Sequence, residues 1–470
     1  MNLNNPNLPG YLSPSAFSRR SFLEKAGMGF GALSLAMLLG EDAVAPSAFA
    51  AESLSPLAAK PAPLPAKAKH VVHIFAQGAP SHIDTWDPKP MLAKYDGKPL
   101  PGMGGVAMPS PFKFNKMGKS GIEVSEVFPK LGEHVDEMAI IRSMWTDVPA
   151  HAIASVMMNT GSLRMPKPSL GSWVVYGLGT ENQNMPGFIS LRAGKGGYSS
   201  NWQSAFLPGI YQGTSINTQY STVEEMIQNI HSSYLKLPEQ RRQLDLVHQF
   251  NELQSQQLQK DAQLEARIQA YELAFKMQTE ASDAFDLSKE PAAMRQLYGN
   301  TEQGKQLLLT RRLIERGVRF VQVWAGGWDH HNNLETRLRE KAAEIDQPLA
   351  AFMTDMKQRG LLDSTLIMWG GEFGRKPVHD KNGNDNPGRD HNGKGFCTWM
   401  AGGGVKGGVT YGATDEFGNA AVEKKVHIHD LHGTILALLG FDHTKLTYRY
   451  NGRDFRLTDN FGNVIKDVIA

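Results

Sequence analysis

Carboxylates and imidazoles gather at the ends of apolar runs in this sequence. "QVWAGGWDHHNN" carries Asp329, His330 and His331. "LIMWGGEFGRKP" carries Glu372 and Arg375, and the stretch that follows, "HDKNGNDNPGRDHNGKG", carries Asp390, His391 and Lys394. "FAQGAPSHIDTWDPKP" adds Ser81, His82, Asp84 and Asp87, and "VPAH" adds His151. Asp329 and His331 are two apart, and in extended backbone such residues point to the same side. Both can then reach one ion, with His391 arriving from another loop. One carboxylate with two imidazoles suits zinc, or iron and manganese with open positions. His330 then points the other way and serves packing or the orientation of its neighbours. A single histidine is most simply a hydrogen-bonded polar residue. Five strand ends contributing together are what point to a divalent metal.

His151 stands at the entrance of "VPAHAIASVMMNTG", a turn followed by a helix of mostly small residues. A helix N-terminus favours an anion or a reacting group. Three roles are open to it. It can ligate a metal together with Glu372 and an acidic residue from the first strand. It can act as a nucleophile, since imidazole is a competent covalent catalyst. Or it can be a polar cap of the turn.

Positioning these residues requires a scaffold. Short apolar runs recur, among them "HVVHIFAQ", "MAIIRSMW", "PGFISL", "RFVQVWAGG", "STLIMWGG" and "FCTWMAGGG", with helical patterns between several of them. Buried strands alternating with helices predict an α/β fold with a mostly parallel sheet covered on both faces. In such sheets ligands bind beyond the carboxyl ends of the strands, where the acidic and imidazole residues fall. From about Thr222 to Met294 the chain becomes rich in Gln, Glu, Lys and Leu. Leu264, Ile268, Tyr271 and Phe275 follow helical spacing, which predicts a helical insertion. "AGGGVKGG" lacks the Lys-Ser/Thr ending of a phosphate loop and reads as a turn between strands. The one cysteine, Cys397, lies in an apolar run and reads as a buried, inert thiol.

The chain has 470 residues, 41% hydrophobic and 20% charged, with a formal net charge of +2. A large core is affordable, and neither nucleic acid nor an anionic membrane surface is suggested as a partner. A single cysteine excludes an internal disulfide and a cysteine-built zinc site. Near the start, "SRRSFLEK" precedes the Gly- and Ala-rich apolar run "AGMGFGALSLAMLLG", too short to span a bilayer comfortably. With "AFA" at Ala48–Ala50 as a cleavage site, residues 1–50 look like a twin-arginine signal peptide. This implies periplasmic or other exported location, the twin-arginine machinery as a transient partner, and no membrane association after cleavage. Residues 51–69, rich in Ala, Pro and Lys, read as a disordered linker, and 70–470 as the folded domain.

The residues also carry a resemblance. "VPAHAIASVMMNTG" is similar to the nucleophile helix of alkaline phosphatases, whose motif runs Asp-Ser-Ala and small residues to Thr-Gly. "STLIMWGGEFG" resembles that superfamily's strand ending in Asp-His-Gly. Over nearly everything after His70 the chain resembles a bacterial, sulfatase-like family designated domain of unknown function number 1501. Its pattern appears here as "GWDHH", "EFGR", "GRDH" and "AGGGVKGG…YGATDEFG". The resemblance implies a three-layer α/β/α sandwich, alkaline phosphatase-like, with a helical insertion. It implies that Asp329, His331 and His391 bind one zinc. Glu372 falls where a ligand of a second metal stands, Phe373 where an adjacent histidine stands, and His151 where the serine nucleophile stands. The usual acidic residue directly after strand one is missing, and Asp84 is the candidate replacement. The sulfatase signature Cys/Ser-x-Pro-Ser-Arg is absent. The function implied is metal-dependent hydrolysis of phosphate or sulfate esters by metal-activated water, on a small-molecule or glycan substrate. In that scheme Arg375 or Lys394 holds the anionic oxygens and Asp390 orients His391 or acts as base. The alternative is a non-catalytic, metal-containing binding or scaffold protein on a degraded hydrolase fold.

Overall fold

The structure is a computed structural model that describes residues 56–164, 166–194, 199–227, 234–255, 271–278, 283–380 and 386–470. The chain divides into two units, Pro56–Gln228 with Thr279–Ala470, and Met1–Ser55 with Asn229–Gln278. In the smaller unit a helix spans Leu237–Ser255 and residues 271–278 are helical. Within this unit Arg241 joins the two helical segments, its Nη2 lying 3.0 Å from Glu272 Oε1. Leu264 and Ile268 of the predicted helical stripe lie outside the described residues, as do 1–50.

The larger unit is built on a nine-stranded sheet. In chain order its main elements are β1 (His70–Phe75), α1 (His82–Thr85), β2 (Met138–Trp145), α2 (His151–Thr160), α3 (Leu170–Leu178), β3 (Phe188–Arg192) and β4 (Thr214–Asn217). Then come α4 (Glu302–Glu315), β5 (Phe320–Trp324), α5 (Leu334–Gln358), β6 (Thr365–Gly370), β7 (Gly374–His379) and β8 (Arg389–Asn392). Last are β9 (Phe396–Ala401), β10 (Val409–Tyr411), β11 (Val426–His427) and α6 (Ile428–Leu438). The sheet order is β10-β2-β9-β6-β1-β5-β3-β4, with β11 also paired to β2. Neighbours pair in parallel except β9, which is antiparallel to both β2 and β6.

The connections place the helices on both faces. The path from β2 through α2 and α3 to β3 runs one way across the sheet. The paths from β4 through α4 to β5, and from β5 through α5 to β6, run the other way. Right-handed crossovers then put α2 and α3 on one face and α4 and α5 on the other. The three-layer α/β architecture expected from the alternating runs is the one observed. Buried on both faces, β1, β5 and β6 are apolar almost throughout, with every residue of each buried.

One antiparallel strand decides where the site can form. β7 and β8 make a hairpin that leaves the carboxyl end of β6 and returns into β9 at the same rim. Were β9 parallel, the chain would have to cross to the opposite rim before entering it.

The segment 56–69 departs from the linker expectation. Leu57 and Ala68 are buried. The backbone N–H groups of Lys60, Leu64, Lys67 and Lys69 donate to the carbonyls of Leu178, Gly440, Leu438 and Ser364. Its Ala/Pro composition resists regular structure, yet its backbone amides find partners at the ends of α3 and α6 and beside β6. Residues 51–55 lie outside the described residues. Among the described residues no helix is long and apolar enough to cross a membrane.

Candidate metal centre

The rim beyond the carboxyl ends of β1, β2, β5 and β6 collects the predicted residues. After β5 the chain turns on itself: Trp328 Nε1 donates to the Ala325 carbonyl at 2.8 Å, and His330 N–H returns to the Trp328 carbonyl. The loop after β1 presses on this turn at Gly78, whose φ is +106°. A Cβ there would stand 2.7 Å from Asp329 N, so only glycine fits. The Gly78 N–H is given to Glu372, 3.0 Å from Oε1 and 3.2 Å from Oε2.

Asp329 Oδ1 is the hub. His331 Nε2 lies 3.0 Å from it, His151 Nε2 3.2 Å and His391 Nε2 3.4 Å. His331 Nε2 and His391 Nε2 are 2.9 Å apart. One ligand atom from each of His151, Asp329, His331 and His391 lies within 4.8 Å of every other. The cluster faces solvent, the Asp329 side chain being 44% exposed.

The opposite edge of each ring is held. His331 Nδ1 donates to Asp380 Oδ2 at 2.5 Å, and His391 Nδ1 donates to the Pro149 carbonyl at 3.0 Å. His151 Nδ1 sits 2.6 Å from Glu372 Oε1, a carboxylate with no solvent exposure. With their Nδ1–H groups committed, His331 and His391 turn bare Nε2 lone pairs on each other, and two acceptors cannot bond without a proton or a cation between them. Zinc with Zn–N of about 2.0–2.1 Å in a tetrahedron requires donors about 3.3 Å apart, close to the separations found here. The residues present fit a divalent cation. Polar partners behind the rings are what such centres use to fix tautomers.

Burial pushes the His151 pKa down, but hydrogen bonds to Asp329 and Glu372 outweigh it and raise it to about 9. Burial acts to raise the Asp329 pKa, yet its bonds to His151 and Arg375 hold it well below the usual carboxylate range.

Other expected residues fall elsewhere. Asp84 is fully buried on α1 and takes Arg389 on both oxygens, Nε to Oδ2 at 2.7 Å and Nη2 to Oδ1 at 3.0 Å. It does not join the cluster, because Ser81 and Arg389 already satisfy it. Arg375 is also buried, and its donors go to Ala79, Gly78 and Arg389 carbonyls and to Asp329 Oδ1 at 2.6 Å. It is spent on bracing the β1 loop and the hub carboxylate, not left to grip an anion. Asp390 accepts the His391 backbone N–H at 2.8 Å and Lys376 Nζ at 2.6 Å; the imidazole itself is oriented by Pro149. Lys394 is exposed on the turn into β9. The ring of His151 is turned to the two carboxylates, and no side chain caps α2, so the capping role is not the one observed. Phe373 is buried against the rings of His151 and His391, 4.8 and 4.7 Å between centroids. Cys397 is buried, and burial pushes its thiol pKa far up, as expected of an inert thiol.

Sequence reasoning missed Asp380, Pro149 and the Gly78 N–H. A backbone group carries no side-chain signal. Asp380 stands among polar loop residues, and nothing in its spacing sets it apart.

A strand irregularity lets β8 serve two centres. Arg389 pairs with His379 and His391 with Arg375, with a register shift between them. Such a bulge re-aims side chains, sending Arg389 inward to Asp84 and His391 to the rim.

The family model described as "Protein of unknown function (DUF1501)" matches residues 68–469. The chain belongs to the DUF1501 family. No curated protein matches it. Among solved structures, the PsFucS1 sulfatase from Pseudoalteromonas sp. is 12% identical, with 79% of this chain and 68% of that one covered and a TM-score of 0.36. The alkaline phosphatase from the Antarctic bacterium TAB5 is 11% identical, with 75% and 96% covered and a TM-score of 0.33. The lipoteichoic acid synthase LtaP from Listeria monocytogenes is 9% identical, with 86% and 78% covered and a TM-score of 0.35. The cluster of this DUF1501 chain therefore has to be read from its own geometry.

Proposed function

We propose that the chain is an exported metal-dependent hydrolase of phosphate or sulfate esters. The observation that carries this reading is the pair of Nε2 atoms on His331 and His391, 2.9 Å apart beside the Asp329 carboxylate at a solvent-facing rim. A divalent cation, zinc by the donor set, would be held by Asp329, His331, His391 and His151 and would supply Lewis acidity and a water acidic enough to ionise near neutral pH. The chain's residues do the rest. Asp380 and Pro149 hold the Nδ1 edges of the two rings and so aim the Nε2 edges at the cluster. Glu372, fixed by Gly78, accepts the Nδ1 proton of His151 and so leaves its Nε2 available. Arg375 steadies the hub carboxylate without competing for substrate. Lys394 is the exposed cation available to an anionic ester oxygen.

Elemental analysis of the purified protein, paired with a panel of phosphate and sulfate esters, tests this. Near-stoichiometric divalent metal is expected, with turnover lost on stringent chelation and in Asp329→Asn. Turnover that persists without metal refutes it.

A second reading, a non-catalytic metal-containing scaffold, is favoured by one observation. Glu372, the candidate ligand of a second ion, has both oxygens engaged by Gly78 and His151, and Phe373 packs beside it. Two-metal ester hydrolysis needs both ions. Full metal occupancy with no turnover across the panel selects the scaffold.

Export rests on the paired Arg19 and Arg20 before an apolar run. Replacing both with Lys is expected to retain the protein inside the cell, as fractionation would reveal; unchanged export would remove this part of the reading.

A further inference from the structure

A cavity of about 760 Å³ opens at the carboxyl ends of β2 and β11, where His427 pairs with Trp145. Its lining is close in sequence to the cluster. Asp147 lines the cavity, Pro149 holds His391, and His151 is itself in the cluster. Four residues of chain reach at most about 14 Å, so a ligand a few rings long in the cavity would extend to the cluster.

The lining has a definite chemistry. Phe461 is 63% exposed, an unusual state for a large apolar ring. The His429 ring lies flat behind it, 5.1 Å away and 11° from parallel. His429 is anchored in turn, its Nε2 donating to the Gly161 carbonyl at 2.8 Å. One face of Phe461 is thus backed by a fixed ring and the other is presented. Trp145 supplies a second aromatic wall, 4.5 Å from the His427 ring. Around these stand hydrogen-bonding groups: the Asp147 carboxylate, 3.0 Å from His427 Nε2, and the amides of Asn460 and Asn463. Lys425 and Arg456 add two cations. A wholly apolar ligand would strand these polar groups. A pyranose satisfies both kinds of wall, setting its C–H face on an aromatic ring and its hydroxyls on carboxylate and amides. Asp430 also lines the cavity, but its oxygens are taken by the backbone N–H groups of His427 and Asn463, so the two cations favour an acidic substituent.

We propose that this cavity binds an acidic pyranose oligosaccharide, with Phe461 as its platform and Lys425 and Arg456 on its acidic group. That the sugar is the alcohol portion of the substrate rests on the ester-hydrolase reading; the binding itself does not.

The test is titration of the full chain, followed by calorimetry, with acidic tetrasaccharides of the galacturonate and glucuronate–hexosamine types and with their carboxyl-reduced neutral counterparts. Saturable binding is expected in the wild type, with and without chelator treatment. Phe461→Ala is expected to weaken it roughly tenfold, and Phe461→Trp to restore it. Lys425→Ala is expected to weaken the acidic sugar and leave the neutral one unchanged. The Phe461 ring is exposed, so its removal leaves the core intact. Absence of saturation by every member of the panel overturns the proposal. So does unchanged binding in Phe461→Ala, or binding lost on chelator treatment, which would move the sugar to the metal centre. If the hydrolase reading fails, no metal and no turnover are found, while the sugar still binds.

Discussion

Two carboxylate centres meet at strand β8, and they are built to opposite ends. Asp84 and Arg389 are both fully buried and face one another through two parallel hydrogen bonds. Asp329 lies at the solvent-facing rim, surrounded by three imidazoles and Arg375. In the closed pair both carboxylate oxygens already accept from the buried guanidinium, so neither is turned to a ligand. In the open cluster acceptors face acceptors, and the geometry is complete only with a proton or a cation. A density of charged residues therefore says little about ligand binding. What matters is whether the charges already satisfy each other.

The largest effect is expected from breaking the closed pair. Asp84→Asn leaves the Arg389 guanidinium buried without its counter-charge, a loss of about 3–5 kcal/mol. Denaturant unfolding should show that loss, while metal content in the surviving folded fraction stays unchanged. If metal is lost at equal stability, Asp84 belongs to the centre after all.

The two centres should also respond to pH with opposite sign. Burial acts to raise the Asp84 pKa, but the attraction of Arg389 outweighs it and leaves it below its ordinary value. Its contribution is present above the unfolded carboxylate pKa and is lost as pH falls through the folded one. His151, raised to about 9, contributes fully below its unfolded pKa of about 6.5 and loses that contribution as pH rises through about 9. Chelator-treated protein should therefore weaken at the alkaline end, seen by thermal melts, and His151→Asn should abolish that limb. An alkaline limb that survives in the variant would assign it to another group.

Asp380 sharpens the comparison further. It touches no exposed ligand atom yet sets which nitrogen of His331 is bare. Asp380→Asn is expected to lower metal affinity by roughly 10–100-fold, measured by competition with a chromophoric chelator, with little change in the unfolding midpoint of the metal-free protein. The smallest effect belongs to Lys376, whose ion pair with Asp390 is largely solvated. Lys376→Ala should alter stability by about 0–1 kcal/mol and leave metal content as it is. A large loss of metal would give Asp390 the orienting role that Pro149 holds here.

Much of the scaffold could be read from apolar runs. β1, β5, β6 and β9 coincide with "HVVHIF", "FVQVW", "TLIMWG" and "FCTWMA" because strands buried on both faces must be continuously apolar. The convergence of Asp329, His331 and His391 was legible for a related reason: their types and their place after such runs put them at one rim. Arg375 and Asp84 misled, since the same charged side chain can grip a ligand or brace a loop, and composition does not distinguish the two. The segment 56–69 misled because a Pro/Ala-rich stretch has no periodicity, yet carbonyls on distant elements satisfy its amides.

By itself the sequence determined an α/β sheet, the rim at which acidic and imidazole residues gather, and the four side chains that meet there, His151 among them with its role left open. Periodicity and strand-end position are local properties, and local physics suffices for them. Only the tertiary structure decided which charges cancel and which stay open. That choice depends on the antiparallel β9, on the bulge between Arg389 and His391, and on backbone groups at Gly78 and Pro149 that belong to segments far apart in the chain.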